Sequence, residues 1–329
     1  MNNSKDCKDY RQNYEFYFSL PCSILNIIFN SFNIIVFIKL IFKNMKSDFY
    51  KYLMIKSIAD LYIGFRFLFR DIAENMIFHA KIKSKHFFFM VLYVIFIKYL
   101  VSMAGLVSCI SDCFSCLDRL IMCVPSWKNV KRTHVKLVYL ALIVFFFLFY
   151  IFKFFEQSII AVQIKDPYNI SLNSTWYQVN SDNKNYYYFI FIHNLLKDVL
   201  TGFISLILNL ITFIFLKKTV EKKKSLKKTR NSSTASYQTV LDSAEWKIFI
   251  MITITSIISF TAHITNFIYE SEYFQLDKCF KIFGSFFYEI SFADSFIIYL
   301  IFNKNFREIF KNFLKLKIKS LKVEPKTTI

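Results

Sequence analysis

Long stretches without a charged residue constrain the fold of this chain more than any other feature. Residues 137–152 are sixteen consecutive positions with no Asp, Glu, Lys or Arg. A helix on the surface of a soluble domain carries charge on its outer face, whereas a helix that crosses a bilayer needs about 20 predominantly apolar residues. Because 55% of the 329 residues are hydrophobic and they are grouped in such stretches, the sequence predicts a polytopic membrane protein. It excludes a compact soluble enzyme, a disordered chain and a collagen-like fibre.

Seven such stretches, bounded by charged or polar clusters, predict an all-α membrane protein with a seven-transmembrane helix bundle. The predicted spans are residues 17–42, 52–78, 87–123, 135–155, 186–216, 246–269 and 279–302. Transmembrane β-strands would be about half as long and strictly alternating, which these segments are not.

The positive charge predicts the orientation of the chain. Residues 39–52, 122–136, 217–247 and 303–329 together account for the whole net charge of +19. These four segments lie at alternating junctions, and cytoplasmic segments are the ones that carry excess Lys and Arg. We therefore expect a multi-pass plasma-membrane protein with residues 1–18 extracellular, a transmembrane domain of residues 19–302, and residues 303–329 cytoplasmic. This distribution explains the charge without a nucleic-acid partner.

The segment after the seventh span predicts an amphipathic helix along the inner leaflet. Its apolar residues recur near helical spacing with Lys and Arg between them, and they are Phe306, Ile309, Phe310, Phe313, Leu314 and Leu316. Such a pattern is typical of a helix that lies in the interface of an anionic membrane.

Three sequons agree with this orientation. Asn2, Asn169 and Asn173 begin Asn-x-Ser/Thr sequons on the predicted outer side, where glycosylation occurs. Cys7 and Cys279 also fall on the outer side, where they either pair or remain two separate thiols.

Costly polar side chains fall at bilayer depth in the second, third and seventh predicted spans. They are Asp60, Ser108, Asp112, Asp118, Arg119, Glu289, Ser291, Asp294, Ser295 and Tyr299. Residues 108, 112, 115 and 119 are spaced by three and four, which places them on one face of a helix. Hydrogen bonds that merely hold helices together are the alternative. Because so many polar residues lie together at bilayer depth, several of them on one helix face, we favour a functional site.

These residues resemble motifs of the rhodopsin-like G-protein-coupled receptors, over residues 17–319. Asn33 and Asp60 resemble the polar pair of the first two helices of that family, and Asp118-Arg119-Leu120 resembles its Asp-Arg-Tyr motif. Tyr299, followed by Asn303 and Phe306-Arg307, resembles its exit into the interfacial helix. The resemblance implies no enzyme and no cofactor.

The resemblance also implies roles for individual residues. Asp118 would restrain Arg119 until the cation is released to the α subunit of a heterotrimeric G protein. Asp60 would gather Asn33, Ser108, Ser291 and Ser295 into a polar pocket, which holds sodium in the family. Asp112 and Asp294 add carboxylates, so we expect at least one of these carboxylates to be protonated.

The chain departs from the family in several places. None of the last three predicted spans contains a Pro, and Ser295-Phe296 stands where the family has Asn-Pro. Leu120 replaces the Tyr of Asp-Arg-Tyr, and the common extracellular disulfide of the family has no counterpart. A divergent receptor and a degenerate one that no longer couples are both compatible with these departures.

The ligand is predicted from three residues near the outer side. Val101 stands where amine receptors carry an Asp, and no Lys in the seventh span offers a Schiff base. Glu289 is expected to meet either a cationic group of a ligand or, as the favoured alternative, an internal partner: Lys98, Lys197 or His263. Arg70 and Glu74 have the spacing of a surface ion pair. A neuropeptide-like ligand is our first hypothesis, and a small chemosensory molecule is the second.

Other partners and functions follow from the remaining polar segments. Hydroxyl residues after the basic run of residues 217–230 are predicted phosphoacceptors for kinases and an arrestin-type adaptor, namely Ser232, Ser233, Thr234, Ser236 and Thr239. An unregulated linker is the alternative there. A seven-span ligand-gated channel or transporter is the rival class, although it fits the charge bias and the scarcity of Gly and Pro less well. Five scattered His residues form no predicted catalytic or metal site.

Overall fold

The fold is predominantly helical. A computed structural model describes residues 15–42, 48–72, 83–84, 86–124, 127, 132–151, 158–166, 169–180, 187–228, 235–270 and 287–321. With only 4 Gly and 4 Pro in the whole chain, little in the sequence interrupts its apolar helices.

Eight helices are described. They are α1 (Leu20–Phe42), α2 (Phe49–Phe69), α3 (Phe87–Cys123), α4 (Arg132–Phe149), α5 (from Tyr187–Asn194 through Thr201–Lys228), α6 (Ala235–Glu270), α7 (Asp294–Phe302) and α8 (Lys304–Leu321). A further helical turn, residues 287–291, is separated from α7 by a turn at residues 292–293. π-Helical segments precede α1 (Glu15–Ser19) and lie within α3 (Val94–Tyr99) and α5 (Leu195–Leu200), and α2 continues as π-helix through residues 70–72.

Three helices are long and apolar enough to cross a membrane. They are Tyr17–Phe42, which contains α1, Phe87–Cys123, which is α3, and Phe191–Thr219, which is most of α5. The helical, membrane-embedded character that we predicted is confirmed to this extent. A shorter apolar helix, Thr133–Phe149, exposes large side chains such as Leu137 and Phe145 along its length.

The helices pack as a closed ring. Along the ring α1 contacts α2, α2 contacts α3, α3 contacts α5, α5 contacts α6, α6 contacts α7, and α7 returns to α1. Helix α4 packs against α3, and α8 packs against both α7 and α1. The ring brings the polar residues of α2, α3 and α7 into one interior.

A three-stranded antiparallel sheet is an element that we did not predict. Strands β2 (Ser158–Asp166) and β3 (Asn169–Asn180) form a hairpin, and the short β1 (Lys83–Ser84) pairs with the other side of β3. The hairpin lies between the fourth and fifth predicted spans, a segment for which we predicted no regular secondary structure. Sequon residues Asn169 and Asn173 both belong to β3.

Aromatic packing fixes α8 at the end of α7. Phe306 is fully buried, and its ring lies 5.8 Å from the rings of Phe37, Phe296 and Tyr299. The Asn303 side chain accepts a hydrogen bond from the backbone N–H of Phe306 at 3.1 Å, which caps the start of α8. A helix is therefore present in the segment where we predicted an amphipathic one, and its apolar side packs against α1 and α7.

Candidate functional site

A buried ion cluster joins α2 to α3 at the centre of the ring. The Lys56 ammonium lies 2.6 Å from Asp112 Oδ2 and 3.8 Å from Asp60 Oδ2. Ser108 donates a hydrogen bond to Asp60 Oδ1 at 2.5 Å. Lys56 and Asp60 are almost fully buried. We call these four residues the Lys56 cluster.

Lys56 is a central residue that sequence reasoning missed. It lies four positions before Asp60, so both side chains are on one face of α2. That spacing was a sufficient signal, but the sequence analysis did not single out Lys56 although it lies within the second predicted span. The pocket for which we expected a bound cation thus contains an ammonium group of the chain itself.

The other predicted pocket residues divide into separate contacts. Asn33 donates to Ser295 Oγ and to Asn30 Oδ1, each at 3.4 Å. Ser291 donates to the backbone carbonyl of Tyr288 at 2.7 Å rather than to Asp60. Asp294 is buried, and neither of its carboxylate oxygens has a hydrogen-bond partner among the described residues.

An asparagine ladder on α1 supports the break before α7. Asn30 donates to Asn26 Oδ1 at 2.7 Å and to the backbone carbonyl of Phe292 at 2.7 Å. The turn at residues 292–293 interrupts the helical hydrogen bonds, so a side-chain donor satisfies a carbonyl that the break leaves open.

Glu289 is paired internally, but not with the partners that we expected. Its Oε1 lies 2.5 Å from Arg70 Nη2, and its Oε2 accepts a hydrogen bond from Ser19 at 2.8 Å. Arg70 also reaches Asp71 Oδ1 at 3.0 Å, while Ser23 donates to Asp71 Oδ2 at 3.1 Å. We call these five residues the Arg70 cluster. The predicted partner of Arg70, residue 74, lies outside the described residues.

Lys197 and His263, two expected partners of Glu289, meet Asp198 instead. Asp198 Oδ1 lies 3.3 Å from the Lys197 ammonium and 2.7 Å from His263 Nδ1. Asn266 donates to Asp198 Oδ2 at 3.1 Å, and Cys109 Sγ lies 3.6 Å from His263 Nε2. These five residues, the Asp198 cluster, join α3, α5 and α6. Sequence reasoning did not single out Asp198.

We call the two ends of the ring the Glu289 end and the Arg119 end, after the residues that lie there. Arg119 lies at the end opposite Glu289. Its guanidinium carbon lies 3.8 Å from the centre of the Phe49 ring. Its Nε is buried and has no hydrogen-bond partner among the described residues. The cation is therefore held over an aromatic face inside the protein, where cation–π attraction stabilises it. Asp118, the preceding residue, is also buried.

Tyr299 lies near the Arg119 end but belongs to an aromatic cluster. Its ring packs edge-on against Phe37 at 5.4 Å. Asn303, one helical turn later, donates to the hydroxyl of Tyr50 at 3.4 Å. Because Tyr50 follows Phe49 in α2, this hydrogen bond links the end of α7 to the helix that carries the ring under Arg119.

An ion pair at the start of α2 connects it to α4. Asp48 Oδ1 lies 2.8 Å from the Lys51 ammonium and 3.1 Å from the Lys136 ammonium. Burial alone would raise the pKa of Asp48, but hydrogen bonds from the two ammonium groups lower it below its usual value of 3.8.

A cavity of about 290 Å³ lies at the Glu289 end. Basic residues from three helices line it, namely Arg66, Arg70, Lys98 and Lys197, together with Glu289. All three predicted ligand-pocket residues, Lys98, Val101 and Glu289, are on its wall. The structure therefore brings the predicted ligand residues together, although through a network in which Arg70 is central.

Several predicted residues fall outside this description. Asn2, Cys7 and Cys279 lie outside the described residues, as do three of the phosphoacceptors, and the side chains of Ser236 and Thr239 are not described. Comparisons with known proteins assign no family, because no protein-family model and no curated protein matches the chain.

Proposed function

We propose that the chain is a plasma-membrane receptor with seven transmembrane helices that transmits an extracellular signal to a heterotrimeric G protein. In this proposal the Glu289 end and the N-terminus face outside, and the Arg119 end and the C-terminus face the cytoplasm. Helix α8 lies along the inner leaflet, and kinases with an arrestin-type adaptor regulate the cytoplasmic segments. Three features support the proposal: the closed ring of helices, the cavity at the Glu289 end, and the Arg119 guanidinium over the Phe49 ring at the other end.

The observation that carries the proposal is the position of the Arg119 guanidinium. An arginine that only anchors a helix extends its head group towards water and lipid phosphates. Arg119 instead places its guanidinium over Phe49 with a buried, unbonded Nε, as the described residues show. Because the Arg119 Nε lacks an acceptor among the residues described, the guanidinium would gain a hydrogen bond on release to a partner protein, which favours such a release.

Removing the restraint should raise basal signalling. We expect Asp118→Asn and Phe49→Leu each to increase ligand-independent GTPγS binding in membranes with co-expressed G proteins. A cation–π contact of about 0.5–2 kcal/mol corresponds to a change of about 2- to 30-fold in the balance between states. Asp118→Asn then provides a raised baseline that needs no identified ligand.

Arg119 is tested on that raised baseline. Adding Arg119→Ala should lower the output about tenfold or more, since a hydrogen bond to a charged group is worth about 1.5–3 kcal/mol. Arg119→Lys should also lose output, because an ammonium does not reproduce bidentate contacts. Lys304→Ala is the matched control, since Lys304 is a highly exposed cation at the same end. A C-terminal tag should stain only after permeabilisation, and variants are compared at equal surface levels. Full output from Arg119→Lys would refute the proposal.

A further inference from the structure

We propose that Cys109, His263 and Asp198 form a nucleophilic triad, whose thiol adds to a small α,β-unsaturated carbonyl compound that enters through the cavity at the Glu289 end. The inference goes beyond signalling, because the adduct is measured on the chain itself and no G protein is needed. It follows from the order of the three side chains, from their position behind the cavity wall and from the hydrogen-bond donors on that wall.

The three side chains lie in the order that a thiol nucleophile requires. Cys109 Sγ lies 3.6 Å from His263 Nε2, and His263 Nδ1 lies 2.7 Å from Asp198 Oδ1. Nucleophilic sites commonly place the nucleophile next to a base that a third group orients. Because the Asp198 carboxylate accepts at Nδ1, the neutral His263 ring keeps its proton on Nδ1, and Nε2 is left to accept the thiol proton.

Two further contacts hold Asp198 in place. Its Oδ1 lies 3.3 Å from the Lys197 ammonium, and Asn266 donates to its Oδ2 at 3.1 Å. With both oxygens engaged, the carboxylate keeps the His263 ring oriented and stabilises the imidazolium that forms when the ring takes up a proton. A hydrogen-bonded chain that only holds α3, α5 and α6 together is the alternative, and it needs no reactive thiol.

Two other cysteines of α3 have different neighbours. Cys113 donates to the backbone carbonyl of Thr201 at 3.2 Å, and Cys116 Sγ lies 3.4 Å from the Ser205 hydroxyl. The thiolate is the nucleophile, and an imidazole takes up a thiol proton whereas a carbonyl or hydroxyl oxygen only shares it. The contact with His263 therefore distinguishes Cys109 from these two thiols.

The triad lies directly behind the cavity wall. Gly105, one helical turn before Cys109 on the same face of α3, lines the cavity together with Lys197 and Tyr288. The Tyr288 ring packs edge-on against the His263 ring, with centroids 5.3 Å apart. Gly105 has no side chain to cover the next turn of α3, and Cys109 itself retains 7% exposure. A small uncharged molecule in the cavity thus needs little movement of the chain to reach the thiol.

The wall also carries donors for a carbonyl oxygen. The Lys197 ammonium donates to the Tyr288 hydroxyl at 3.3 Å, and both residues line the cavity. A hydrogen bond from either group stabilises the negative charge that develops on the carbonyl oxygen during the addition.

The addition is balanced without a further reactant. Cys109 gives its thiol proton to His263 Nε2, and the thiolate forms an S–C bond with the β-carbon. The π pair of the C=C bond moves to the α-carbon and the carbonyl oxygen as an enolate, and His263 Nε2 returns the proton to the α-carbon. No group leaves and nothing is oxidised, so the product is a thioether on Cys109.

The size of the cavity limits the substrate. Its volume of about 290 Å³ equals that of about ten water molecules at roughly 30 Å³ each. A short-chain enone fits this space, whereas a maleimide fluorophore, with fused rings attached to the reactive group, does not.

Methyl vinyl ketone is the probe. The full chain in phosphatidylcholine nanodiscs is treated at neutral pH, the reaction is stopped with excess free thiol, and adduct formation at each cysteine is followed by peptide mass spectrometry. We expect Cys109 to react about tenfold or more faster than Cys22 and Cys116, because general-base assistance contributes a factor of about 100 or more and burial removes part of it. Cys22 is the matched control, since it is less buried than Cys109.

Substitution of His263 separates activation from access. His263→Ala opens space beside Cys109, so access alone would raise the rate, whereas loss of the base should lower it about tenfold or more. His263→Gln should also slow the reaction, because an amide does not take up a proton. His193→Gln is the control, because His193 is a buried histidine of the same cavity wall that contacts Tyr150; it should leave the rate at Cys109 unchanged. Cys116, which is 1% exposed, reports in the same digest whether each variant is folded.

Two results would overturn the proposal. One is reaction of Cys22 as fast as or faster than that of Cys109 in the wild type, because reactivity would then follow exposure. The other is unchanged or faster reaction of Cys109 in either His263 variant while Cys116 stays protected, which would leave a hydrogen-bonded chain that only joins helices. Where a His263 variant exposes Cys116, the comparison of Cys109 with Cys22 in the wild type decides alone.

Discussion

Replacing Lys56 with Met tests whether a charge of the chain itself holds the centre of the ring together. Lys56 is 3% exposed, and its ammonium lies 2.6 Å from Asp112 and 3.8 Å from Asp60. Met preserves the unbranched shape and the helix propensity of the side chain while it removes the charge. The substitution therefore leaves two carboxylates without their shared counter-charge.

The expected loss of stability follows from the distances. At an effective dielectric constant of about 20, Coulomb's law gives about 6 kcal/mol for the closer pair and about 4 kcal/mol for the other. The cost of removing these charges from water offsets much of this, and breaking a buried pair typically costs about 3–5 kcal/mol. Asp112 keeps a 16% exposed side chain, so we expect the lower value. For a chain of 329 residues, about 3 kcal/mol corresponds to a fall of about 4 °C in apparent melting temperature.

Buried thiols provide the assay. Cys109 and Cys116 are free and buried, so a maleimide fluorophore reports their exposure as the detergent-solubilised protein unfolds. Lys51→Met is the matched control, because Lys51 is on the same helix but 48% exposed, and its pair with Asp48 should be worth about 1 kcal/mol or less. The double variant Lys56→Met with Asp112→Leu should recover at least half of the loss. Equal melting of Lys56→Met and Lys51→Met would refute the reasoning.

Two further substitutions test packing and pH dependence. Gly202→Ala should lower the free energy of unfolding by about 1–3 kcal/mol, because the added Cβ would lie 2.7 Å from Phe260 Cδ2 where α5 meets α6. Gly105→Ala is the control, since its Cβ would lie 3.5 Å from Lys197 Cδ. Equal melting temperatures for the two variants would contradict the clash. Asp48→Asn should lower the melting temperature at neutral pH by an amount worth about 1 kcal/mol or less. Because the folded-state pKa of Asp48 is lowered from 3.8, the ion pairs stabilise above pH 3.8 and are lost as pH falls through the lowered pKa. The difference from wild type should therefore vanish in acid, and a difference that grows there contradicts this assignment.

Local patterns predicted the bounds of two helices well, whereas the seventh predicted span, residues 279–302, is interrupted by a turn at residues 292–293. The third apolar stretch and α3 share the bounds 87–123, and the amphipathic pattern after residue 303 coincides with α8. Both depend on hydrophobicity and periodicity, which are properties of neighbouring residues. Asp60 and Ser108 were also predicted to meet, since both lie mid-helix on helices that follow each other in the chain.

Long-range pairings were not predictable in the same way. Arg70 and Glu289 are separated by 219 positions, and their contact depends on how α1, α2 and the turn before α7 rotate about their axes. Apolar helices with polar residues on more than one face leave that rotation undetermined by sequence. The hairpin had a clearer signal: β-branched residues such as Ile159, Ile160 and Val162 run up to Pro167, and Ile170 and Val179 follow it. This pattern was not used, and no strand was predicted there.

The buried clusters explain why the ring closes in one order. Apolar surfaces distinguish neighbours poorly inside a membrane, because lipid tails are as apolar as the side chains. The Lys56 cluster joins α2 to α3, the Arg70 cluster joins α1, α2 and the turn before α7, and the Asp198 cluster joins α3, α5 and α6.

Five of the six ring helices, α1, α2, α3, α5 and α6, therefore contribute to at least one charged cluster, and the helical turn before α7 contributes Glu289. An incorrect neighbour for one of these helices would leave a buried charge unpaired. Helix α4 lies outside the ring, and its contacts among the described residues differ. The Tyr139 hydroxyl forms a hydrogen bond with the Ser111 hydroxyl at 2.8 Å, and the Phe147 carbonyl accepts one from Tyr99 at 2.8 Å. The ion pair between Lys136 and Asp48 has a half-exposed Lys136 side chain. Separation of α4 would break neutral hydrogen bonds, one ion pair and the aromatic contacts of Tyr139, such as that with Phe114 at 4.9 Å. Separation of a ring helix that belongs to a charged cluster would instead leave a buried charge behind. The buried charges thus specify which helices form the ring, and the apolar residues provide the surface that lipid covers.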